Sequence, residues 1–273
     1  MPKNNRVVLV GSGNMGFAML QGWLAAEMLD AGDVFVVEPN EALRERAAGL
    51  GVGVAADAGE LPGSFDAGLV ILAVKPQVMD AVLPAYRDLA ARGATFVSVA
   101  AGILIERYER ILGETTPVIR VMPNTPAAVG AGMMVICANA RTDRETLAFT
   151  RKLMAANGEV AVIDDEGLMD AVTAVSGSGP AYLFHMIEAL TEAAKAAGLP
   201  DGIAELLAGQ TIYGAAVYAK QSGVAPAKLR EQVTSPNGTT AAALGVLMGD
   251  GRLTKLMTEA VAAARARSVE LGR

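Results

Sequence analysis

The sequence predicts an α/β fold, in which a doubly wound parallel sheet in the N-terminal half is followed by an all-α C-terminal half. Short apolar runs alternate with helical patterns up to Ile163, as buried parallel strands and their crossover helices do. After that residue the strand signal stops and Ala-rich helical patterns take over. We therefore expect a sheet domain over residues 1–163 and a helical domain over residues 164–273.

The individual elements follow from local patterns. Runs of β-branched and other apolar residues bounded by glycine, proline or polar residues predict strands over Val7–Val10, Val34–Val37, Leu69–Val74, Thr95–Val99, Val118–Val121, Met133–Cys137 and Val160–Ile163. Helical spacing between them predicts helices over Gln77–Ala90, Ile103–Leu112 and Asp143–Ala156. Further helices are expected from Pro180 to Gly198, over Ile203–Gln221, from Pro226, over Thr239–Met248 and over Leu253–Leu271.

Composition excludes several classes of function. His185 is the single histidine, which rules out a His-cluster metal site and most His-dependent triads, so we expect no metal. We interpret His185 as a packed helix residue. Cys137 is the single cysteine, which fits a reducing compartment and a cytoplasmic protein. The net charge of −6 without a basic block argues against nucleic acid, and no apolar run reaches the ~18 residues of a membrane span.

A glycine-rich turn follows the first predicted strand directly. The pattern Gly-x-Gly-x-x-Gly leads into helical spacing from Phe17 to Leu24, and strand, turn and helix form the context that a dinucleotide-binding turn requires. The three glycines permit the tight turn, the approach of a pyrophosphate and the packing of helix on strand, in that order. The sequence therefore predicts a Rossmann-type domain with cofactor contacts from Gly11, Ser12, Gly13, Asn14, Met15 and Gly16. The alternative is a turn with a structural role only.

Glu38 ends the second strand, about 22 residues past Gly16, near the spacing at which an acidic residue commonly binds the ribose 2′-hydroxyl. This position favours NADH over NADPH. Asn40 and Arg44 can still accommodate a 2′-phosphate, so both NADPH and NADH remain open. The alternative is that Glu38 merely solvates the strand end.

Three further loops follow predicted strands and break out of them with proline or glycine: Lys75–Gln77, Ala100–Gly102 and Met122–Pro126. Ligands of a doubly wound sheet lie beyond the carboxyl ends of its strands, so we expect these loops to flank a nicotinamide ring. Plain connecting loops are the alternative for any one of them. The predicted cofactor contacts from this edge are Ala73, Val74, Lys75, Pro76, Ala100, Ala101, Gly102 and Asn124.

The helical half contains a turn suited to an anion. Hydroxyl residues, a proline and a glycine crowd Thr234–Thr240 just before a strong helix former, Ala241–Leu244. The first backbone N–H groups of that helix lie unpartnered at the positive end of its dipole, which suits a carboxylate or phosphate. Thr240 adds a hydroxyl beside the anion. An ordinary capped helix is the alternative.

Taken together, these segments resemble the pyrroline-5-carboxylate reductase family over essentially the whole chain. The matching stretches are Gly11–Gly16, Ala73–Gln77, Ser98–Gly102, Arg120–Pro126, Ser176–Tyr182 and Val233–Thr240. Asn237 stands where the family usually has a second glycine. Because asparagine is the non-glycine residue that best tolerates a left-handed backbone, we expect the turn to persist.

The resemblance implies reduction of 1-pyrroline-5-carboxylate to L-proline with NADPH or NADH, the last step of proline biosynthesis. It implies a homodimer formed through the helical halves, and larger assemblies such as a decamer of five dimers. It also implies that the substrate carboxylate binds at Ser235, Asn237, Gly238, Thr239 and Thr240, and that the catalytic hydroxyl contacting the ring nitrogen is that of Thr240.

Two other functions are compatible with parts of the sequence. A β-hydroxyacid dehydrogenase also joins a Rossmann-type domain to helices, but it places a lysine a few residues after a Gly-rich helix start. Here no lysine follows Gly179 until Lys195. A non-catalytic dinucleotide sensor, in which the helices only dimerise, would not need the anion turn.

Overall fold

The protein is described by a computed structural model that covers residues 5–272. It forms two compact units, of which the first runs to Ser178 and includes the chain again from Ala264, while the second covers Gly179–Ala263. The domain boundary after Ile163 stays a prediction. The division between the two compact units lies after Ser178 and not after Ile163, because Glu166 binds Arg120 of the sheet.

Eight strands form one sheet in the first unit. They are β1 (Val7–Val10), β2 (Val34–Val37), β3 (Gly53–Ala55), β4 (Leu69–Leu72), β5 (Thr95–Ser98), β6 (Val118–Met122), β7 (Gly132–Ala138) and β8 (Gly158–Val162). Their spatial order is β3-β2-β1-β4-β5-β6-β7-β8, and the first six are parallel. The order reverses between β1 and β4, which is the switch point of a doubly wound sheet. The predicted fold class is confirmed.

Side chains of the central strands alternate between two cores on opposite faces of the sheet. Along β1, Val8 and Val10 belong to the core that contains Tyr108, whereas Val7 and Leu9 belong to the core that contains Trp23. Every residue of β1 and β4 is buried, which explains their continuous apolar runs.

Two features of the sheet differ from the sequence prediction. β3 was not predicted, since its three residues, Gly53–Ala55, are too few to give a pattern. β7 runs antiparallel to β6, with Ile119 opposite Ala138. A 3₁₀ turn over Thr125–Val129 and a left-handed Gly130 (φ 70°) reverse the chain between them.

The helices of the first unit are short. They are α1 (Asn14–Ala25), α2 (Glu41–Ala48), α3 (Met79–Val82), α4 (Arg87–Ala91), α5 (Ile105–Leu112), α6 (Arg144–Ala155) and α7 (Met169–Val172). The continuous helix predicted over Gln77–Ala90 is wrong, because 3₁₀ turns over Pro76–Val78 and Leu83–Tyr86 interrupt it. Proline lacks the N–H group that would continue a helix, and Pro84 lies in the second interruption.

A partly buried ion pair ties the chain that leaves β8 back to the sheet. Oε1 of Glu166 accepts hydrogen bonds from Arg120 Nη1 in β6 (2.6 Å) and from the backbone N–H of Ile105 at the start of α5 (2.8 Å). The Arg120 side chain is only 4% exposed. Glu166 therefore neutralises a buried cation and caps a helix at the same time.

The helices of the second unit are α8 (Gly179–Ala196), α9 (Asp201–Ser222), α10 (Pro226–Gln232) and α11 (Thr239–Met248), followed by α12 (Arg252–Leu271), whose last residues count with the first unit. These bounds agree closely with the predicted helices. Gly223 ends α9 in the left-handed conformation (φ 65°).

Much of the apolar surface of the second unit is uncovered in the single chain. α11 has no buried residue although it carries Val246, Leu247 and Met248, which are 48–61% exposed. Phe184 and Leu206 are 58% and 63% exposed. Apolar faces of this extent are typical of an oligomer interface.

The prediction for His185 is wrong for the single chain. Its side chain is 81% exposed and its Nδ1 lies 3.0 Å from Glu188 Oε2.

We expect Glu166→Ala to lower the free energy of unfolding by about 2–4 kcal/mol, because it leaves the buried Arg120 guanidinium without its carboxylate. Urea unfolding at a fixed protein concentration measures the change. The matched control is Glu231→Ala, which removes an exposed pair with Lys228 and should cost less than about 0.5 kcal/mol. Equal, small losses in the two variants would contradict the role given to Glu166.

Candidate active site

The glycine turn after β1 is held by contacts that only glycine allows. Gly11 has a left-handed backbone (φ 92°), and a Cβ there would lie 2.9 Å from the carbonyl oxygen of Ala73. A Cβ on Gly16 would overlap the carbonyl oxygen of Gly11. The turn therefore packs directly on the chain that leaves β4.

The outer side of the same turn is open. A Cβ on Gly13 would meet no atom within 4 Å. Gly13 is the N-cap of α1, and no side chain among the described residues caps this helix. The first amides of α1, at Asn14 and Met15, are thus available to an external acceptor, as a pyrophosphate-binding turn requires.

Glu38 is buried at the end of β2 and binds the glycine turn. Its Oε2 accepts the backbone N–H of Ser12 (2.7 Å) and its Oε1 accepts that of Asn40 (3.0 Å). A carboxylate has about four acceptor sites, so these two bonds leave capacity for a ribose hydroxyl. Glu38 consequently orders the turn, a role that the sequence did not suggest.

Arg46 is a second residue that sequence reasoning missed. Its Nη2 donates to the carbonyl oxygen of Ser12 (2.6 Å), and its guanidinium carbon lies 4.0 Å from the centre of the Phe17 ring. A basic residue in the last turn of α2 is the only signal that the sequence offers for it. The arrangement places positive charge beside the glycine turn.

The loop after β4 lies against the glycine turn at the switch point. The backbone N–H of Ala73 donates to the carbonyl oxygen of Val10 (2.8 Å), and Val74 contacts the position of a Gly11 Cβ at 3.1 Å. Lys75 is exposed just beyond them, and Pro76 begins the next turn. The structure thus brings the two predicted cofactor segments together.

The loop after β5 is anchored by hydroxyl groups at the end of that strand and in α5. Ser98 Oγ accepts the backbone N–H of Ala100 (3.2 Å) and lies 2.6 Å from the hydroxyl oxygen of Tyr108. Burial raises the pKa of Tyr108 to about 12, so its hydroxyl stays protonated and can donate to Ser98. Ala101 is half-buried and Gly102 is buried with φ 79°.

Asn124, predicted as a cofactor contact, uses its side chain within the protein. Its Oδ1 accepts the backbone N–H of Met133 (2.8 Å), and its Nδ2 donates to the carbonyl oxygen of Ser176 (3.0 Å). Ser176 belongs to a π-helical turn over Thr173–Gly177, a feature frequent at functional sites. Asn124 therefore holds the loop after β6 to this turn.

The anion turn of the second unit has the conformation that the sequence predicted. Asn237 adopts φ 58°, in the left-handed region, as expected for a residue in place of glycine. Gly238 is the N-cap of α11, and a Cβ there would overlap Ser235 Oγ. Its N–H donates to the carbonyl oxygen of Ser235 (3.1 Å), which closes the turn.

The start of α11 has no internal cap. Among residues 5–272 no side chain caps this helix, so the amides of Thr239 and Thr240 are free to bind an anion. Thr239 is exposed and Thr240 is half-buried. The turn thus presents backbone donors and the hydroxyl of a half-buried threonine.

Comparisons with known proteins agree with this arrangement. Residues 166–271 match the family model described as pyrroline-5-carboxylate reductase dimerisation, and residues 6–102 match that described as NADP oxidoreductase coenzyme F420-dependent. The pyrroline-5-carboxylate reductase of Pseudomonas aeruginosa is 41% identical over 97% of this chain and 96% of its own. The chain belongs to the pyrroline-5-carboxylate reductase family.

Solved structures support the same assignment. A pyrroline-5-carboxylate reductase from Coxiella burnetii superposes with a TM-score of 0.92 at 34% identity, covering 98% of this chain and 99% of that one. The Plasmodium falciparum enzyme, solved with NADP bound, gives 0.85 at 27% identity and covers all of both chains. The predicted family is confirmed, and the protein is an NAD(P)H-dependent reductase of proline biosynthesis with a dimerisation domain.

Two other features are absent from the described part of the chain. Within residues 5–272 no group of three or more His, Cys, Asp or Glu side chains is placed to hold a metal ion. None of the helices in this part of the chain combines the length and apolarity that crossing a membrane demands.

We expect Gly13→Ala to leave the stability of the free protein within about 0.5 kcal/mol of wild type, since the new Cβ meets only open space. It should weaken NAD(P)H binding on the order of tenfold or more, because the methyl group occupies the place of the pyrophosphate. Fluorescence titration and thermal unfolding measure the two effects. Gly32→Ala, also into open space, is the control and should bind normally. Unchanged affinity in Gly13→Ala would place the dinucleotide elsewhere.

Proposed function

We propose that the crevice at the switch point of the sheet binds NADPH or NADH, and that the turn before α11 binds 1-pyrroline-5-carboxylate by its carboxylate. The observation that carries this proposal is the pair of uncapped helix starts, at α1 and at α11, in a chain of this family. Each offers backbone donors to an anion: a pyrophosphate in the first case and a carboxylate in the second.

On the cofactor side, the chain contributes mainly backbone. The amides of Asn14 and Met15 hold the pyrophosphate, and the open face of Gly13 lets it approach. Glu38 stays bonded to Ser12 and Asn40 while its remaining lone pairs face the ribose. The loops over Ala73–Pro76 and Ala100–Gly102 flank the nicotinamide ring.

On the substrate side, the amides of Thr239 and Thr240 receive the carboxylate at the positive end of α11. The hydroxyl of Thr240 makes none of the hydrogen bonds found in residues 5–272, so it is free to accept the N–H of a protonated imine. One end of the substrate is thus fixed by charge and its ring nitrogen by a single hydrogen bond.

The chemistry needs position more than acid or base. When bound, the reduced nicotinamide supplies a hydride to the imine carbon. The electron pair of the C=N bond moves to the protonated nitrogen, which becomes the secondary amine of L-proline. Holding the two reactants in contact can lower the barrier by about 7–11 kcal/mol, so a chain without a catalytic histidine is sufficient.

The alternative of a β-hydroxyacid dehydrogenase finds no support in the first lysine after Gly179. Lys195 Nζ lies 3.1 Å from Glu192 Oε1 and 4.0 Å from Asp201 Oδ1. The hydrogen bond to Glu192 raises the pKa of Lys195, so the ammonium is held in a surface ion pair. A non-catalytic sensor would leave the turn before α11 without a ligand.

We also propose that the apolar faces of α9 and α11 are covered by a second copy of the chain, forming a homodimer, and that five dimers assemble into a decamer. The exposed Leu206, Tyr213 and Val246 support the first step. A mass from light scattering distinguishes dimer from decamer. The lone buried Cys137 is consistent with a cytoplasmic location, which we propose for the protein.

We expect Thr240→Ala to lower the rate of imine reduction on the order of tenfold to a hundredfold, since the lost hydrogen bond contributes about 1–3 kcal/mol. NADPH oxidation with and without the cyclic imine measures the rate, and fluorescence titration should give an unchanged cofactor affinity. Thr240→Ser keeps the hydroxyl and should recover most of the activity. Wild-type turnover in Thr240→Ala would remove this residue from the reaction.

We expect Glu38→Ser to raise the ratio of kcat/KM for NADPH to that for NADH by about threefold to tenfold, because a carboxylate at the ribose repels a 2′-phosphate. Steady-state kinetics with both cofactors give the ratio. Since Glu38 also accepts two backbone N–H groups, both kcat/KM values should fall with the loss of order in the turn. An unchanged ratio would show that Glu38 orders the turn without reading the ribose.

A further inference from the structure

The last turn of α12 packs on a loop of the proposed cofactor site. A Cβ on Gly272 would overlap the carbonyl oxygen of Gly102, and a Cβ on Gly102 would lie 3.3 Å from the backbone nitrogen of Gly272 and 3.4 Å from the carbonyl oxygen of Ser268. Here two stretches of backbone touch without intervening side chains. The approach itself requires glycine at position 272, and the left-handed backbone of Gly102 (φ 79°) favours glycine on the other side.

A partly buried hydrogen bond fixes the same turn to a second element. Ser268 is 5% exposed, and its Oγ donates to Asp170 Oδ1 in α7 at 2.6 Å. Bonds to a carboxylate are stronger than those between neutral groups. α7 leads directly into the π-helical turn, where the carbonyl oxygen of Ser176 accepts a hydrogen bond from Asn124. The bond between Ser268 and Asp170 therefore connects the end of α12 to the segment that holds the loop after β6.

The loop itself has little means of holding its shape. Ala100–Gly102 carries two methyl groups and no polar side chain, and its glycine is left-handed. Below, Ser98 Oγ accepts one amide of the loop. On its other side, the backbone of Gly102 contacts the last turn of α12.

We propose that the turn Ser268–Gly272 is a positioning element for the loop Ala100–Gly102, with Ser268 as the positioning residue that secures it through Asp170. Loosening this turn lets the loop move and displaces the nicotinamide ring that it flanks. The inference rests on the proposed cofactor role of the loop, and it assigns to the end of α12 a function in binding the dinucleotide.

Two variants disturb the contact in different ways. Gly272→Ala forces a methyl group against the Gly102 carbonyl, and Ser268→Ala removes the bond to Asp170. Each should raise the KM for NAD(P)H and its dissociation constant by about threefold to tenfold, the range expected for a residue that affects a binding site without touching the ligand. The KM for the cyclic imine should stay within about twofold of wild type, since the turn before α11 is untouched.

Three controls separate positioning from general damage. Asp170→Asn keeps an acceptor oxygen for Ser268 but loses the charge, so it should weaken NAD(P)H binding less than Asp170→Ala, which should resemble Ser268→Ala. Glu270→Ala lies in the same turn but removes only an exposed pair with Arg267, so its kinetics should be unchanged. Thermal unfolding without cofactor reports any loss of fold in each variant.

Hydride transfer supplies an independent readout. With cofactor deuterated at the transferred position, Gly272→Ala should give a larger isotope effect on kcat than wild type, because a displaced ring makes hydride transfer slower relative to product release. A variant that is only less stable would not change it.

The outcomes distinguish this inference from the proposed function. A wild type that binds NAD(P)H but does not reduce the imine contradicts the proposed function, and the dissociation constants of the variants still test the positioning role. Wild-type KM and dissociation constants for NAD(P)H in Gly272→Ala and Ser268→Ala, in an enzyme that reduces the imine, would overturn the inference. Equal effects of Asp170→Asn and Asp170→Ala would overturn the part given to Ser268.

Discussion

The site depends on the direct contact of backbone with backbone where the chain leaves β1 and β4. Gly11 and Ala73 approach so closely that a methyl group on the glycine would strike the neighbouring carbonyl. Gly16 then brings α1 against the same turn. This contact places the free amides of α1 beside the loop that follows β4, at the switch point where ligands of a doubly wound sheet bind.

The sequence predicts those parts of the molecule that local patterns specify. β1 and β2 appear with the predicted bounds, since a strand buried on both faces must be apolar throughout. α11 also begins and ends as predicted, because the turn before it breaks the helix and Asn237 can take a positive φ. The family follows from such local motifs as well.

What the sequence does not predict is set by contacts between distant residues. β7 is antiparallel to β6 because the loop from Thr125 to Gly130 reverses the direction of the chain. The apolar pattern of a strand does not indicate whether it runs parallel or antiparallel to its neighbour. The bond between Arg120 and Glu166 joins residues 46 positions apart, and it keeps residues after Ile163 with the sheet. Likewise the pairing of Ser268 with Asp170 spans 98 positions. The sequence also gives no sign that the side-chain amide of Asn124 forms hydrogen bonds with the backbone of Met133 and Ser176.

These observations together explain why so plain a set of residues can form a reductase site. A protonated cyclic imine already accepts hydride readily, so the protein must supply distance, orientation and a dry environment. Glycines, alanines and helix amides satisfy that need when their backbone is rigid, but an Ala-Ala-Gly loop has no side chains with which to fix itself. Neighbouring residues must then hold the loop in place. Here these are Ser98, whose hydroxyl contacts that of Tyr108, and the end of α12. A binding site that consists mainly of backbone groups therefore depends on residues that do not contact the ligand themselves.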